Sequence, residues 1–186
     1  MIFTFHDDDA LKSDMSKCVA DVINAFSKKF KFNQTVKTPA SDDPFKPSTG
    51  RSLSLQKADL FHTTTAKELH IFKRARPNIQ TAIAVSTTRV FKPQCSDWLK
   101  LKRLTLHLNG TRDLTLTLSL KDEINCIKWC ADAAFAVHSD FKSHTGAAVM
   151  SDDESLISIG RKQKLNTESF TIAESVGVDD ATVMIP

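Results

Sequence analysis

The hydrophobic period changes partway along this chain, and that change limits what it can fold into. Before residue 112 the apolar residues recur at three- and four-residue intervals. From Asp113 they alternate, with Leu114, Leu116, Leu118 and Leu120 set between Thr115, Thr117 and Ser119. The first spacing puts apolar side chains on one stripe of a helix; the second puts them on one face of a strand. Helices first and strands later predict the α+β class.

The pattern divides as follows. Residues 2–5 alternate weakly and read as a short strand. Residues 14–30 read as a helix capped by Asp14 or Ser13, with Met15, Val19, Val22, Ile23, Phe26 and Phe30 on one stripe. Three X-Pro steps and Gly50 make residues 33–50 a loop. Ser52 or Ser54 opens a helix that runs to about Arg76. Pro77 interrupts it and suits the first turn of a further helix to Val90. Ser96 or Asp97 caps another helix through Leu108, ended by Asn109-Gly110. After the alternating segment, residues 127–137, 145–150 and 155–161 read as strands. Residues 171–184 read as a final helix weakened by Gly177 and Val178.

Charge divides the chain at nearly the same places. The net charge of +3 conceals ten basic and two acidic residues in 66–112, and six basic and twelve acidic residues in 113–186. A basic stretch beside carboxylates suits a polyanion with a divalent metal, or else a solvated helix face. No apolar run approaches the ~18 to 20 residues of a membrane helix. The N-terminus lacks the basic and apolar regions of an export signal. Cys18, Cys95, Cys126 and Cys130 then read as reduced thiols of an intracellular protein, in the cytoplasm or nucleus. The C-x3-C pair, Cys126 and Cys130, has no second pair to complete a zinc site.

Few residues point to chemistry by themselves. Asp7-Asp8-Asp9 follows an apolar strand, but six preceding residues cannot supply a polymerase palm, so a solvated turn is the expected role. Asp132 sits inside an apolar run. A strand carboxylate there must be solvated, paired or bound to metal. Glu174, on the last helix, is the natural second carboxylate for Mg²⁺. His138 and His144 have no zinc-signature spacing and read as a hydrogen-bonded turn. Lys73, Arg74 and Arg76, and Lys100, Lys102 and Arg103, are the candidate phosphate contacts.

Seven stretches, in order, carry a resemblance. They are Lys73-Arg74-Ala75-Arg76-Pro77-Asn78-Ile79-Gln80-Thr81-Ala82, Asp97-Trp98-Leu99-Lys100-Leu101-Lys102-Arg103, Leu108-Asn109-Gly110-Thr111-Arg112-Asp113-Leu114, Ala131-Asp132-Ala133-Ala134-Phe135-Ala136-Val137-His138, Lys142-Ser143-His144-Thr145-Gly146-Ala147, Arg161-Lys162-Gln163-Lys164-Leu165-Asn166-Thr167, and Val176-Gly177-Val178-Asp179-Asp180. With them the chain resembles the C-terminal part of copia-type retrotransposon polyproteins. The resemblance implies that residues 1–50 are palm-end and thumb-like, and that 51–112 form a helical connection supporting template–primer. It implies that 113–186 are the first part of an RNase H-like domain, a mixed sheet with one helix. Asp132 then matches the first catalytic Asp, on the first strand, and Glu174 the catalytic Glu, on the first helix. Both would hold Mg²⁺ for cleavage of the RNA strand of an RNA–DNA hybrid.

The departures from that family are specific. The Tyr-x-Asp-Asp polymerase turn is absent, and Asp7–Asp9 do not match its position. Phe170 replaces the second Ser and Ile172 the first Glu of the Ser-Ser-Thr-Glu-Ala-Glu signature. Cys18 and His107 stand where relatives carry Tyr. With only two RNase H carboxylates present, the expectation is a polyprotein fragment that binds RNA–DNA hybrid or template–primer beside other polyprotein domains and is catalytically incomplete. The rival expectations are a non-enzymatic nucleic-acid-binding module and a non-functional retrotransposon remnant.

Overall fold

A stripe of Val19, Val22, Ile23 and Phe26 is what makes the first helix bury one side. In the computed structural model, which describes residues 2–6, 10–28, 34–119, 127–151 and 154–183, this helix is α1 (Ser16–Ser27). Asp14 caps it from one position further back than expected, its Oδ1 accepting from the Ser16 amide at 2.7 Å. That bond holds the Asp14 carboxyl below the usual carboxylate range. Two short strands, β1 (Ile2–His6) and β2 (Ala10–Asp14), precede α1. They share a three-stranded sheet, in the order β1-β2-β3, with β3 (Leu116–Ser119). Asp7–Asp9, Phe30, Leu120, Cys126 and Met184 lie outside the described residues.

The class is α+β, with five α-helices and two small antiparallel sheets among the described residues. The chain divides into two compact units, the first holding most of the chain up to Leu116 and the second holding Phe45–Pro47 with the chain from Thr117 on. The first unit is helical. It holds α1, α2 (Leu55–Ala75), α3 (Gln80–Thr87) and α4 (Cys95–Gly110). Pro77 starts a single 3-10 turn, Pro77–Ile79, rather than the α-helix itself. The proline ring sits in the first turn, where a missing N–H costs nothing. One apolar cluster gathers Val19, Ile23, Ile71, Phe72, Ile83 and Leu104. A second gathers Phe26, Phe61, Trp98 and Leu101, with the rings of Phe26 and Trp98 stacked at 5.1 Å.

The cap of α4 lies two residues before Ser96 and three before Asp97, the two caps expected. Gln94 is the cap, and Asp97, three residues on, accepts from the Gln94 amide at 2.9 Å. This is a capping box, with the acid inside the helix rather than at its cap. Ser48 also donates to Asp97. At the other end Gly110 leaves room for a close approach: a Cβ there would stand 3.0 Å from that of Thr35.

The second unit is built on β4 (Ile127–Ala134), β5 (His144–Ser151), β6 (Glu154–Lys162) and α5 (Phe170–Thr182). The strands pair antiparallel in the order β4-β5-β6. β4 ends sooner than its apolar run, because Ala136 takes a left-handed φ of 51° that a strand does not accommodate. Asp132 pairs with Gly146, and Ala133 with Thr145. The core here is small-residued: Ala133, Ala147, Val149, Ala173 and Ala181. Gly177, which weakens α5 by propensity, is where α5 meets β4; a Cβ there would stand 3.3 Å from that of Ala133. No helix among the described residues is long and apolar enough to cross a membrane.

Two buried polar groups set the stability of the helical unit. Arg76, 1% exposed, donates through Nε to Asn78 Oδ1 (3.0 Å), through Nη1 to the Thr111 carbonyl (2.8 Å) and through Nη2 to Thr111 Oγ1 (2.6 Å). Lysine cannot present that planar fork. Arg76→Lys is therefore expected to destabilise the unit by about 2 kcal/mol or more, read by urea denaturation with Trp98 fluorescence in a Trp129→Phe background.

Glu68 is wholly buried on α2, and no ion pair joins it to a cation among the described residues. Thr105 Oγ1 donates to it at 2.9 Å, and burial pushes its carboxyl up to about 8. Between the ordinary value of 4.5 and about 8 the folded chain holds a proton that the unfolded chain has released. Stability is thus full below that window and falls as pH rises through it, by up to about 1.4 kcal/mol per pH unit. His107, kept neutral mainly by burial, has the opposite sign. The diagnostic is therefore the difference between wild type and Glu68→Gln, whose stability is expected to lack this fall.

Candidate nucleic-acid interface

The basic segment 66–112 contains two acids, Glu68 and Asp97, and both are buried, at 0% and 2% exposed. Each is there for a local reason: Asp97 completes the α4 cap, and Glu68 lies on the inward stripe of α2 with Phe61, Thr64, Thr65, Ile71 and Phe72. Of the ten cations in the segment only Arg76 is buried. The surface of this segment therefore shows cations and no carboxylate. The sequence shows the excess; only the burial of both acids shows that the surface is single-signed.

The six candidate phosphate contacts separate into three groups. Lys73 and Arg74 are exposed in the last turn of α2, where positive charge also complements the helix dipole. Lys100, Lys102 and Arg103 are half-exposed on α4. Lys100 donates to the Pro44 carbonyl (2.9 Å) and Arg103 to Thr38 Oγ1 (2.7 Å), so both also hold the 38–44 loop. Beside them a crevice of about 20 Å³, walled by Pro39, Ala82 and Val85, has room for one water and no base. Arg76 does not belong to a binding surface. Its guanidinium is consumed by Asn78 and Thr111, as described above, and burial lowers its pKa.

Asp132 and Glu174 lie on elements that pack against each other, β4 and α5. Asp132 is exposed on β4, the first strand of its sheet, and Glu174 is half-buried on α5. Gly177 stands one turn beyond Glu174. A Cβ there would lie 3.8 Å from the Asp132 carbonyl, so α5 crosses β4 beside the carboxylate-bearing residue. Among the described residues no three His, Cys, Asp or Glu side chains gather into a group that could hold a metal.

Around this contact the unit is held by a polar network. Gln163, 1% exposed, donates through Nε2 to Thr145 Oγ1 (3.0 Å) and to the Ala173 carbonyl (2.9 Å). Thr145 in turn donates to Asp180 Oδ2 (3.1 Å), and Arg161 pairs with Asp180 Oδ1 at 2.6 Å. This explains why Gln163 and Asp180, polar residues with no catalytic pattern, are needed where they stand.

Sequence reasoning missed the burial of Glu68 and the clamp made by Arg76. The signal for Glu68 was available, since it falls at helical spacing between Phe61, Thr65 and Ile71, Phe72. The signal for Arg76 was not, because its partner Thr111 lies 35 residues away. No family model matches the chain, and no curated protein or solved structure matches it either.

Proposed function

We propose that the chain is a fragment of a copia-type retrotransposon polyprotein that binds RNA–DNA hybrid or template–primer duplex, acts beside the other polyprotein domains inside the cell, and is catalytically incomplete as it stands. The observation that carries the binding half is the single-signed surface of residues 66–112, whose two acids are buried. Such a surface attracts a polyanion by releasing its condensed counterions, without reading sequence. Supporting the family half are the ordered stretches of sequence, and a carboxylate on the first strand of a sheet followed by another on the helix that crosses it. Two of the stretches, around Arg76 and around Thr111, are bonded to each other. Distinguishing RNA from DNA would fall to 2′-hydroxyl contacts and hybrid shape.

Fluorescence anisotropy with a labelled RNA–DNA hybrid tests this. Affinity is expected to fall steeply between ~50 and ~200 mM salt. The triple variant Lys73→Gln, Arg74→Gln, Lys102→Gln should lower the log–log salt slope by about 2 to 3 and weaken binding about equally across sequences. Arg76→Lys, measured where it remains folded, should leave the slope unchanged. Binding insensitive to salt and to the triple variant defeats the electrostatic reading. In the same samples with Mg²⁺, no hybrid cleavage is expected, and cleavage abolished by Asp132→Asn would show a complete nuclease.

A further inference from the structure

The turn between β4 and β5 folds one imidazole back onto another. It does so through two non-glycine residues in left-handed backbone, Ala136 at φ 51° and Phe141 at φ 60°. Each costs of order 1 kcal/mol, and such conformations persist only where the surroundings impose them. The His138 amide donates to the Lys142 carbonyl (3.1 Å), the Phe141 amide to the His138 carbonyl (2.9 Å) and the Ala136 amide to Ser143 Oγ (3.1 Å). The outcome is His138 Nε2 standing 3.1 Å from His144 Nδ1, with the ring centres 5.3 Å apart. The ring of Phe45 packs on both imidazoles, at 5.1 and 4.9 Å.

We infer that His138 and His144 form a chelating site for a borderline divalent transition metal of the zinc, cobalt and nickel class. Two nitrogens held by one tetrahedral ion at about 2.05 Å stand about 3.3 Å apart, so a modest turn of each ring converts the observed contact into a chelate. The shared N–H then moves to the distal nitrogen of its own ring, and no net proton is lost from the neutral pair. A metal ligand must be unprotonated. His144 is 6% exposed, with its Nδ1 facing the His138 ring. His138 is half-buried and gives the ion its way in. Asp140, in the same turn, is paired with Lys162 at 2.7 Å. Because no third His, Cys, Asp or Glu joins the pair among the described residues, water completes the shell. Affinity is then micromolar rather than that of a four-ligand structural zinc site.

Titration of the whole chain with Zn²⁺ alone by calorimetry, and with Co²⁺ alone by visible absorption, tests the site. One equivalent should bind and raise the thermal transition. The cobalt spectrum should show nitrogen and oxygen ligation without a thiolate charge-transfer band, which separates this site from the cysteines. His138→Gln should weaken binding at least about tenfold while circular dichroism stays unchanged. His144→Gln should do the same; if that variant unfolds, the His138→Gln result decides. A His62→Gln, His70→Gln double variant should bind as the wild type does. Binding in His138→Gln as tight as in the wild type, thiolate bands in the cobalt spectrum, or no uptake by the wild type at ~1 mM metal overturns the inference.

Discussion

The helical unit depends on one buried guanidinium. Arg76 sits where α2 ends and ties that point to the far end of α4 through both the carbonyl and the hydroxyl of Thr111. Its third bond goes to Asn78 Oδ1. The amide of Asn78 donates to His107 Nε2 (3.1 Å), and His107 Nδ1 donates to the Val36 carbonyl (3.3 Å). Thr111 closes the circuit by donating to the His107 carbonyl (2.9 Å). A buried cation is tolerated here because each of its three nitrogens has an acceptor, which offsets part of the desolvation. The donor order fixes His107 as the neutral Nδ1–H tautomer, in agreement with the lowering of its pKa by burial. The loop at Val36, the turn at Pro77 and the end of α4 are thereby placed by one network rather than by apolar packing.

The two units reach order by different means. The helical unit has two apolar clusters filled by large side chains. The sheet unit buries mostly alanine and one valine, and orders α5 on β4 and β5 through Gln163, Thr145, Asp180 and Arg161. Small residues let α5 approach the sheet closely, but they remove little apolar area from water, so hydrogen bonds carry more of the specificity. The same unit leaves Phe141, Leu165, Phe170 and Ile127 exposed, each by more than half. Large apolar side chains left outside in this number are the surface of an element set that has little core to offer them.

Charge acquires its meaning from burial. A segment with ten cations and two acids can present a patchwork or a uniform surface, depending on where the acids go. Asp97 is drawn inward by the unpaired amides at the start of α4. Glu68 is drawn inward by the stripe it sits on, where burial pushes its carboxyl up to about 8. Those two local events leave the surface of residues 66–112 with cations and no carboxylate of its own. Lys100 and Arg103 serve both purposes: each keeps its charge at the surface while fastening the 38–44 loop.

Local pattern determined the class and most of the elements. The apolar stripe of α1, the proline break after α2, the cap region of α4 and the three antiparallel strands all follow from spacing and turn chemistry within a few residues. Where the reading slipped, a contact distant in sequence had decided. β4 stops early because a turn brings His138 back to His144. Asp97 serves α4 from within because Gln94 and Ser48 meet it. Gly177 keeps its place in α5 despite its poor helix propensity, because β4 passes within contact distance. The residues with chemistry divide in the same way. Lys73, Arg74, Lys102, Asp132 and Glu174 are visible in sequence, since each sits in a charge run or interrupts an apolar one. The duty of Arg76, the silence of Glu68 and the pairing of two imidazoles are decided only by tertiary structure. Burial, hydrogen-bond partners and protonation depend on what the fold brings alongside, and no local spacing encodes that.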